Sequence, residues 1–170
     1  MSGDSAKLLS TAASRVQQAL AAAGLDCAIT EHASAARTSA EAAATLGCSI
    51  AEIAKSLVFR ATAPGGPDDV VLVIASGANR VDEAKLAALC GATIGKADAA
   101  TVRAATGYAI GGIPPLAHAR PLRAFVDREL LAFERVYAAG GTPNAMFPIR
   151  PADLVRVSGG IIADVALLAV

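Results

Sequence analysis

Ile53-Ala54-Lys55-Ser56-Leu57-Val58-Phe59, the turn Pro64-Gly65-Gly66-Pro67-Asp68, and the run from Val70 to Ala75 together decide the fold. The first is a short apolar run entered just after a helix signal, and it reads as a strand. The last is a continuous apolar run, mostly β-branched, of the kind that fills a buried strand. With a Pro/Gly turn between them, Leu57 to Ala61 and Val70 to Ala75 form a hairpin. A hairpin among so many helix signals favours a mixed α/β domain over a purely parallel, doubly wound one.

Upstream, Thr38-Ser39-Ala40-Glu41 has the spacing of a capping box and opens a helix that Gly47 ends. Ser49-Ile50-Ala51-Glu52 repeats the signature and starts a single turn leading into the Lys55 strand. Cys27 to His32 reads as a short strand. Ala6 to Ala23 carries apolar residues at helical spacing, with Val16 and Leu20 on one face and Gly24 as the stop. Downstream, Asp82 caps a helix running to Cys90, stopped by Gly91. Ala92 to Ile94 is a short strand, and Asp98 opens a helix ending near Gly107. Arg123 to Asp127 and Glu134 to Ala138 read as strands flanking a turn of helix at Asp127–Leu131. Gly140-Gly141-Thr142-Pro143-Asn144 is a turn. Pro151-Ala152-Asp153-Leu154 suits a short helix with proline at its first position. The apolar tail reads as either a final strand or a final helix.

The 170 residues are expected to form a single domain, residues 1–170, with a core of its own. Hydrophobic residues make up 54% of the chain but aromatics only 4%, so its helices pack on small side chains. Formal net charge is zero, which excludes the strong positive field of a protein that holds nucleic acid through phosphate contacts alone. DNA is therefore a poor candidate partner, and any nucleic acid must be met by a local basic patch. Cys27, Cys48 and Cys90 show no metal-binding spacing and read as reduced small hydrophobes. Asp4 and Lys7 interrupt any signal-peptide pattern, and no apolar run is long enough to span a bilayer. The expectation is a soluble, cytoplasmic protein without membrane partners.

Two features carry chemistry. Lys55 lies on a strand, where its ammonium either reaches solvent or holds a phosphate, carboxylate or ester oxygen. Gly107-Tyr108-Ala109-Ile110-Gly111-Gly112-Ile113-Pro114-Pro115 is either a plain connection or a loop offering bare backbone amides to a ligand. Gly111 and Gly112 would permit the close approach, and Pro114 and Pro115 would stiffen the bend. The loop matches neither a Walker loop nor a dinucleotide fingerprint. His118 and His32 read as hydrogen-bonded structural residues or as members of a site. Ser56, Ser76 and Ser158 lack the context of a nucleophile elbow. Arg120, Arg123 and Arg128 form either a solvated face or the basic patch that a nucleic-acid end would need.

In this order, Thr38-Ser39-Ala40-Glu41-Ala42-Ala43, Ile53 to Phe59, Asn79-Arg80-Val81-Asp82-Glu83-Ala84-Lys85-Leu86, Gly107 to Pro115 and Pro151-Ala152-Asp153-Leu154 resemble the YbaK/EbsC family. That family is related to the editing domain inserted in bacterial prolyl-tRNA synthetases. The resemblance covers about His32 to Val157. It implies a partly rolled mixed β-sheet with flanking helices. It implies a free-standing aminoacyl-tRNA deacylase that hydrolyses the ester of a mischarged tRNA, usually a prolyl tRNA. The family's lysine falls on Lys55, and its Gly-x-x-x-Pro loop on Gly111 to Pro115.

The catalytic set is then Lys55, Gly111, Gly112 and Ile113: ester hydrolysis develops negative charge on the carbonyl oxygen, and the Gly112 and Ile113 N–H groups are the expected oxyanion donors. Thr38, Pro114, Pro115, His118 and His32 are the implied substrate-binding residues. A ribose 2′-OH could position the attacking water, so no protein nucleophile is required. No metal and no cofactor are implied. The implied partners are the acceptor end of a mischarged tRNA and prolyl-tRNA synthetase. Gly140 to Phe147 matches no single subgroup, which leaves alanyl, cysteinyl, seryl and threonyl esters open. The competing readings are a non-catalytic tRNA- or synthetase-binding module and a hydrolase of some other small acyl ester.

Overall fold

The computed structural model describes residues 8–168. The expected helix start at Ala6 lies outside the described residues, as do Asp4 and Lys7. Helix α1 runs Thr11–Ala22, where the Ser10 hydroxyl accepts the Ala13 N–H at 3.2 Å. Its apolar face buries Ala13, Val16 and Leu20. β1 is Thr30–Glu31, only the end of the strand expected from Cys27 to His32. α2 is Ser39–Leu46, and Gly47 ends it in the left-handed region. The Thr38 hydroxyl accepts the Glu41 N–H at 3.1 Å, but the return arm of the expected box is shifted by one residue. The Glu41 carboxylate accepts the Arg37 N–H at 2.7 Å rather than that of Thr38. A 3-10 turn at Ile50–Glu52 then enters β2, Ile53–Thr62.

β2 and β3 (Asp68–Ser76) form the expected hairpin, longer at both ends than the apolar runs alone. α3 (Glu83–Cys90) starts at Asp82, whose carboxylate takes the Ala84 and Lys85 N–H groups. β4 (Thr93–Lys96) and α4 (Ala99–Thr106) follow. Next come β5 (Arg123–Asp127), a 3-10 turn at Arg128–Ala132, β6 (Val136–Ala139) and β7 (Ala145–Ile149). α5 is Pro151–Ser158, and the tail contributes a strand, β8 (Ile161–Ala163). Nothing in the sequence reading anticipated β7, because Pro148 interrupts it. Proline is tolerated there because the β1 pairing reaches only Ala145 and Met146, leaving Pro148 paired with β6 alone.

The eight strands make one mixed sheet in the order β1-β7-β6-β2-β3-β5-β8, with β4 also paired to β2. β2 with β6, β3 with β5, and β5 with β8 are parallel; the other pairs are antiparallel. One face carries the main core, in which α1, α4, Tyr108 and Ile113 pack on Leu72, Ile74 and Val126. The opposite face buries Val71, Val73, Phe125 and Leu86 of α3. This is the mixed α/β architecture with flanking helices that the sequence implies.

Candidate active site

The decisive local feature is a fork in β2. One edge of the strand pairs with β3 from Ala54 to Thr62. On the other edge, β6 pairs with Ile53 and Ala54, and β4 with Phe59 to Thr62. Among the described residues, no strand pairs with Lys55 to Val58 on that edge. A cavity of about 340 Å³ lies there, bordered by Lys55, Ser56 and Leu57. One wall is the start of α2, with Arg37, Thr38 and Ala42. Another is the segment after α4, with Ile110, Gly111 and Ile113. Ala139, Pro143 and Met146 also border it, as do Ser39 and Ala54. The lining is largely apolar with a few polar groups, the usual make-up of a small-ligand site.

Strand alternation places Lys55 on the face of Leu57, Phe59 and its cross-strand neighbour Ala75. Burial holds the Lys55 ammonium below the ordinary lysine value. The Asp127 carboxylate opposes that shift and Arg80 adds to it. Asp127 is fully buried. Its carboxylate accepts from the Ser76 N–H at 3.1 Å, Asn79 Nδ2 at 2.9 Å and the Glu129 N–H at 3.0 Å. It is thus a fixed negative charge at the end of β5, a role that sequence reading missed because Asp127 there serves only as the start of a helical turn.

The loop is built around a turn from Ala109 to Gly112. The Gly112 N–H donates to the Ala109 carbonyl at 3.0 Å. Gly111 has φ +91°, the third-residue geometry of a type II turn, which favours glycine. This corrects the expected donor pair. The Gly112 N–H is already used, and a Cβ on Gly112 would stand 2.7 Å from the Thr142 Cα, so the residue is packed behind the wall. Ile113 borders the cavity, and among the described residues its N–H has no protein acceptor.

Pro114 and Pro115 are buried and do not border the cavity. Nor does His118, whose Nε2 lies 2.7 Å from the Pro114 carbonyl. A carbonyl only accepts, so Nε2 carries the proton and donates. Burial lowers the His118 pKa, and the bond to Pro114 partly restores it. His118 therefore pins the double-proline bend from behind instead of touching a ligand in the cavity. The Tyr108 hydroxyl ties the same segment by donating to the Ala117 carbonyl at 2.9 Å. Ala117 itself has φ +65°, a conformation that costs an L-residue about 1 kcal/mol.

Thr38 borders the cavity and caps α2 at the same time. His32 lies outside it, against a much smaller space that shares Ala36, Ala42, Pro143 and Met146 with the main cavity. The backbone of His32 is fastened to Asn144 in both directions, at 2.7 and 2.9 Å. Arg120, Arg123 and Arg128 do not converge. Arg120 pairs with Asp69 at 3.0 Å, Arg123 donates to the Leu89 and Cys90 carbonyls, and Arg128 lies 3.6 Å from Asp164. The cations at or near the cavity are instead Arg37, Lys55 and Arg80.

Comparison with known proteins identifies the family. Residues 33–157 match the family model for the aminoacyl-tRNA editing domain. The uncharacterized protein YwhH of Bacillus subtilis (strain 168) is 32% identical over 130 residues, 76% of this chain and 80% of that protein. A solved structure of a candidate trans-editing enzyme for prolyl tRNA synthetase is 40% identical. It superposes with a TM-score of 0.87 over 95% of this chain and 100% of its own. The crystal structure of hypothetical protein APE2540 is 35% identical, with a TM-score of 0.80 over 90% of this chain and 99% of its own. The matched segment carries the β2 fork, the start of α2 and the Gly111–Pro115 loop, and the chain belongs to the aminoacyl-tRNA editing domain family.

Proposed function

We propose that the protein is a trans-acting deacylase that hydrolyses the ester of a mischarged tRNA, with a prolyl tRNA carrying a small wrong amino acid as substrate. The observation carrying this reading is that Lys55, Gly111 and Ile113 border one cavity. The aminoacyl end enters that cavity while the rest of the acceptor stays outside. Water attacks the carbonyl carbon, the bond to the ribose 3′-oxygen breaks, and that oxygen leaves with a proton. The neighbouring 2′-OH orients the water, so the chain supplies position and charge. The Ile113 N–H stabilises the negative charge that develops on the carbonyl oxygen. Lys55 holds a ribose oxygen or the terminal phosphate and fixes the ester against the loop. The solved relative described as a candidate trans-editing enzyme for prolyl tRNA synthetase makes mischarged prolyl tRNA the first substrate to try, and that synthetase a partner.

The test is amino-acid release from prolyl tRNA charged with alanine, cysteine, serine or threonine, comparing wild type with Lys55→Ala. Wild type is expected to release at least one of them. The variant should be slower by about 100-fold or more, the scale of loss when a substrate is no longer held in its reactive geometry. Equal rates in both proteins would remove Lys55 from the mechanism. Binding without release by wild type would make the protein a non-catalytic module.

A further inference from the structure

Ser56 is absent from every role assigned so far. Its hydroxyl oxygen is buried and has no hydrogen-bond partner, yet Ser56 borders the cavity. Alternation along β2 puts it opposite Lys55, on the face of Ala54 and Val58, which pack with the main core beside Ile113. Arg37, Thr38, Ile110 and Gly111 at the cavity are exposed, whereas Ala42, Ala54 and Ile113 are buried. The Ser56 hydroxyl thus lies on the main-core side of the cavity, with the buried lining residues Ala54 and Ile113 and away from the exposed Arg37, Thr38 and Ile110.

We propose that Ser56 Oγ receives the α-amino group of the bound aminoacyl ester. The inference rests on the deacylase reading for its ligand class. It is argued from which bordering side chains can accept a hydrogen bond. The Lys55 ammonium, the Arg37 guanidinium and the Ile113 N–H can only donate, so they suit the ester oxygens and not an amine. No Asp or Glu borders the cavity. Among the side chains, that leaves the hydroxyls. Thr38 Oγ1 already accepts the Glu41 N–H in the cap, and Thr38 is exposed. The Cβ of Ser39 stands 2.8 Å from where a Cβ on Gly77 would lie, so its hydroxyl springs from a crowded corner between α2 and the end of β3. Ser56 Oγ is buried and unengaged. A hydroxyl can accept from an ammonium, or both donate to and accept from a neutral amine. A buried polar atom without a partner is costly to keep, and a substrate amine would satisfy it.

The test uses two stable amide analogues of the aminoacyl end, 3′-alanylamino-3′-deoxyadenosine and its 3′-propionylamino counterpart, which differ only in the α-amino group. Affinities are measured by calorimetry for wild type and Ser56→Ala, with the melting temperature recorded for each. Wild type should bind the alanyl analogue about 10- to 100-fold more tightly, the scale of one hydrogen bond to a charged group. Ser56→Ala should lose most of that preference, keep its affinity for the propionyl analogue, and melt no lower than wild type. A preference that survives in Ser56→Ala, or an equal loss on both analogues, overturns the proposal. So does a wild type that does not discriminate between them. Because the readout is binding, a wild type that discriminates but releases no amino acid from tRNA sinks the deacylase reading and leaves this one standing. A wild type that hydrolyses without discriminating does the reverse.

Discussion

At the scale of the residue, His118 shows how a histidine near a loop becomes a support rather than a catalyst. Its protonated Nε2 donates to the Pro114 carbonyl, and burial holds the ring below the ordinary histidine value of 6.5. The linkage sign follows. Between its lowered folded pKa and 6.5, the unfolded chain binds more protons at this site than the folded one. The stability contribution is therefore complete above pH 6.5 and is lost as pH falls from there through the folded pKa. His118→Gln can keep an N–H donor and has no titration. Urea unfolding between about pH 6.5 and 5, above the carboxylate range, should show a falling stability in wild type and a flatter profile in the variant. A wild-type profile already flat in that window contradicts the assignment. Lys55 and Gly111 were legible in the sequence because a lysine in an apolar strand and glycines in an alanine-rich chain are conspicuous. Ser56, Asp127 and the state of the Gly112 N–H were not. Each depends on what a group meets across the sheet or across a turn, and spacing does not report that.

At the scale of the element, Gly111 and Gly112 do different work. Gly112 has room for no Cβ, because three backbone atoms of Thr142 lie within 3.0 Å of where it would go. Gly112→Ala must push the loop and the Gly140–Asn144 turn apart, and overpacking of that kind costs about 1–3 kcal/mol. Gly111 is open on that side, with only Pro143 at 3.8 Å, so Gly111→Ala bears the strain of φ +91°, about 1 kcal/mol. Chemical denaturation should rank the variants with Gly112→Ala the less stable; the opposite order would contradict the packing described. Caps and stops are what sequence reveals best at this scale. Asp82, Asp98, Gly91 and Gly107 bound α3 and α4 where local chemistry places them. β7 was hidden because its proline counts against a strand, and the proline is tolerated because Pro148 pairs with β6 alone, beyond the reach of β1.

At the scale of the whole molecule, the site exists because β2 is longer than either strand on its second edge. β6 takes its first two residues and β4 its last four, and the interval between them is the cavity. The hairpin and the mixed α/β class could be read from the chain, since they follow from periodicity and turn chemistry. The fork could not, because it depends on where distant strands stop along β2. In the proposed reaction this interval takes the aminoacyl end of a tRNA. The most direct test of that placement is a crystal structure with 3′-alanylamino-3′-deoxyadenosine. The account predicts the alanyl group between Lys55, Ser56 and Ile113, with its carbonyl oxygen within hydrogen-bond reach of the Ile113 N–H and the adenosine outside, beyond Gly111. An analogue seated at any other surface, or lying in the cavity with the adenosine innermost, would contradict it.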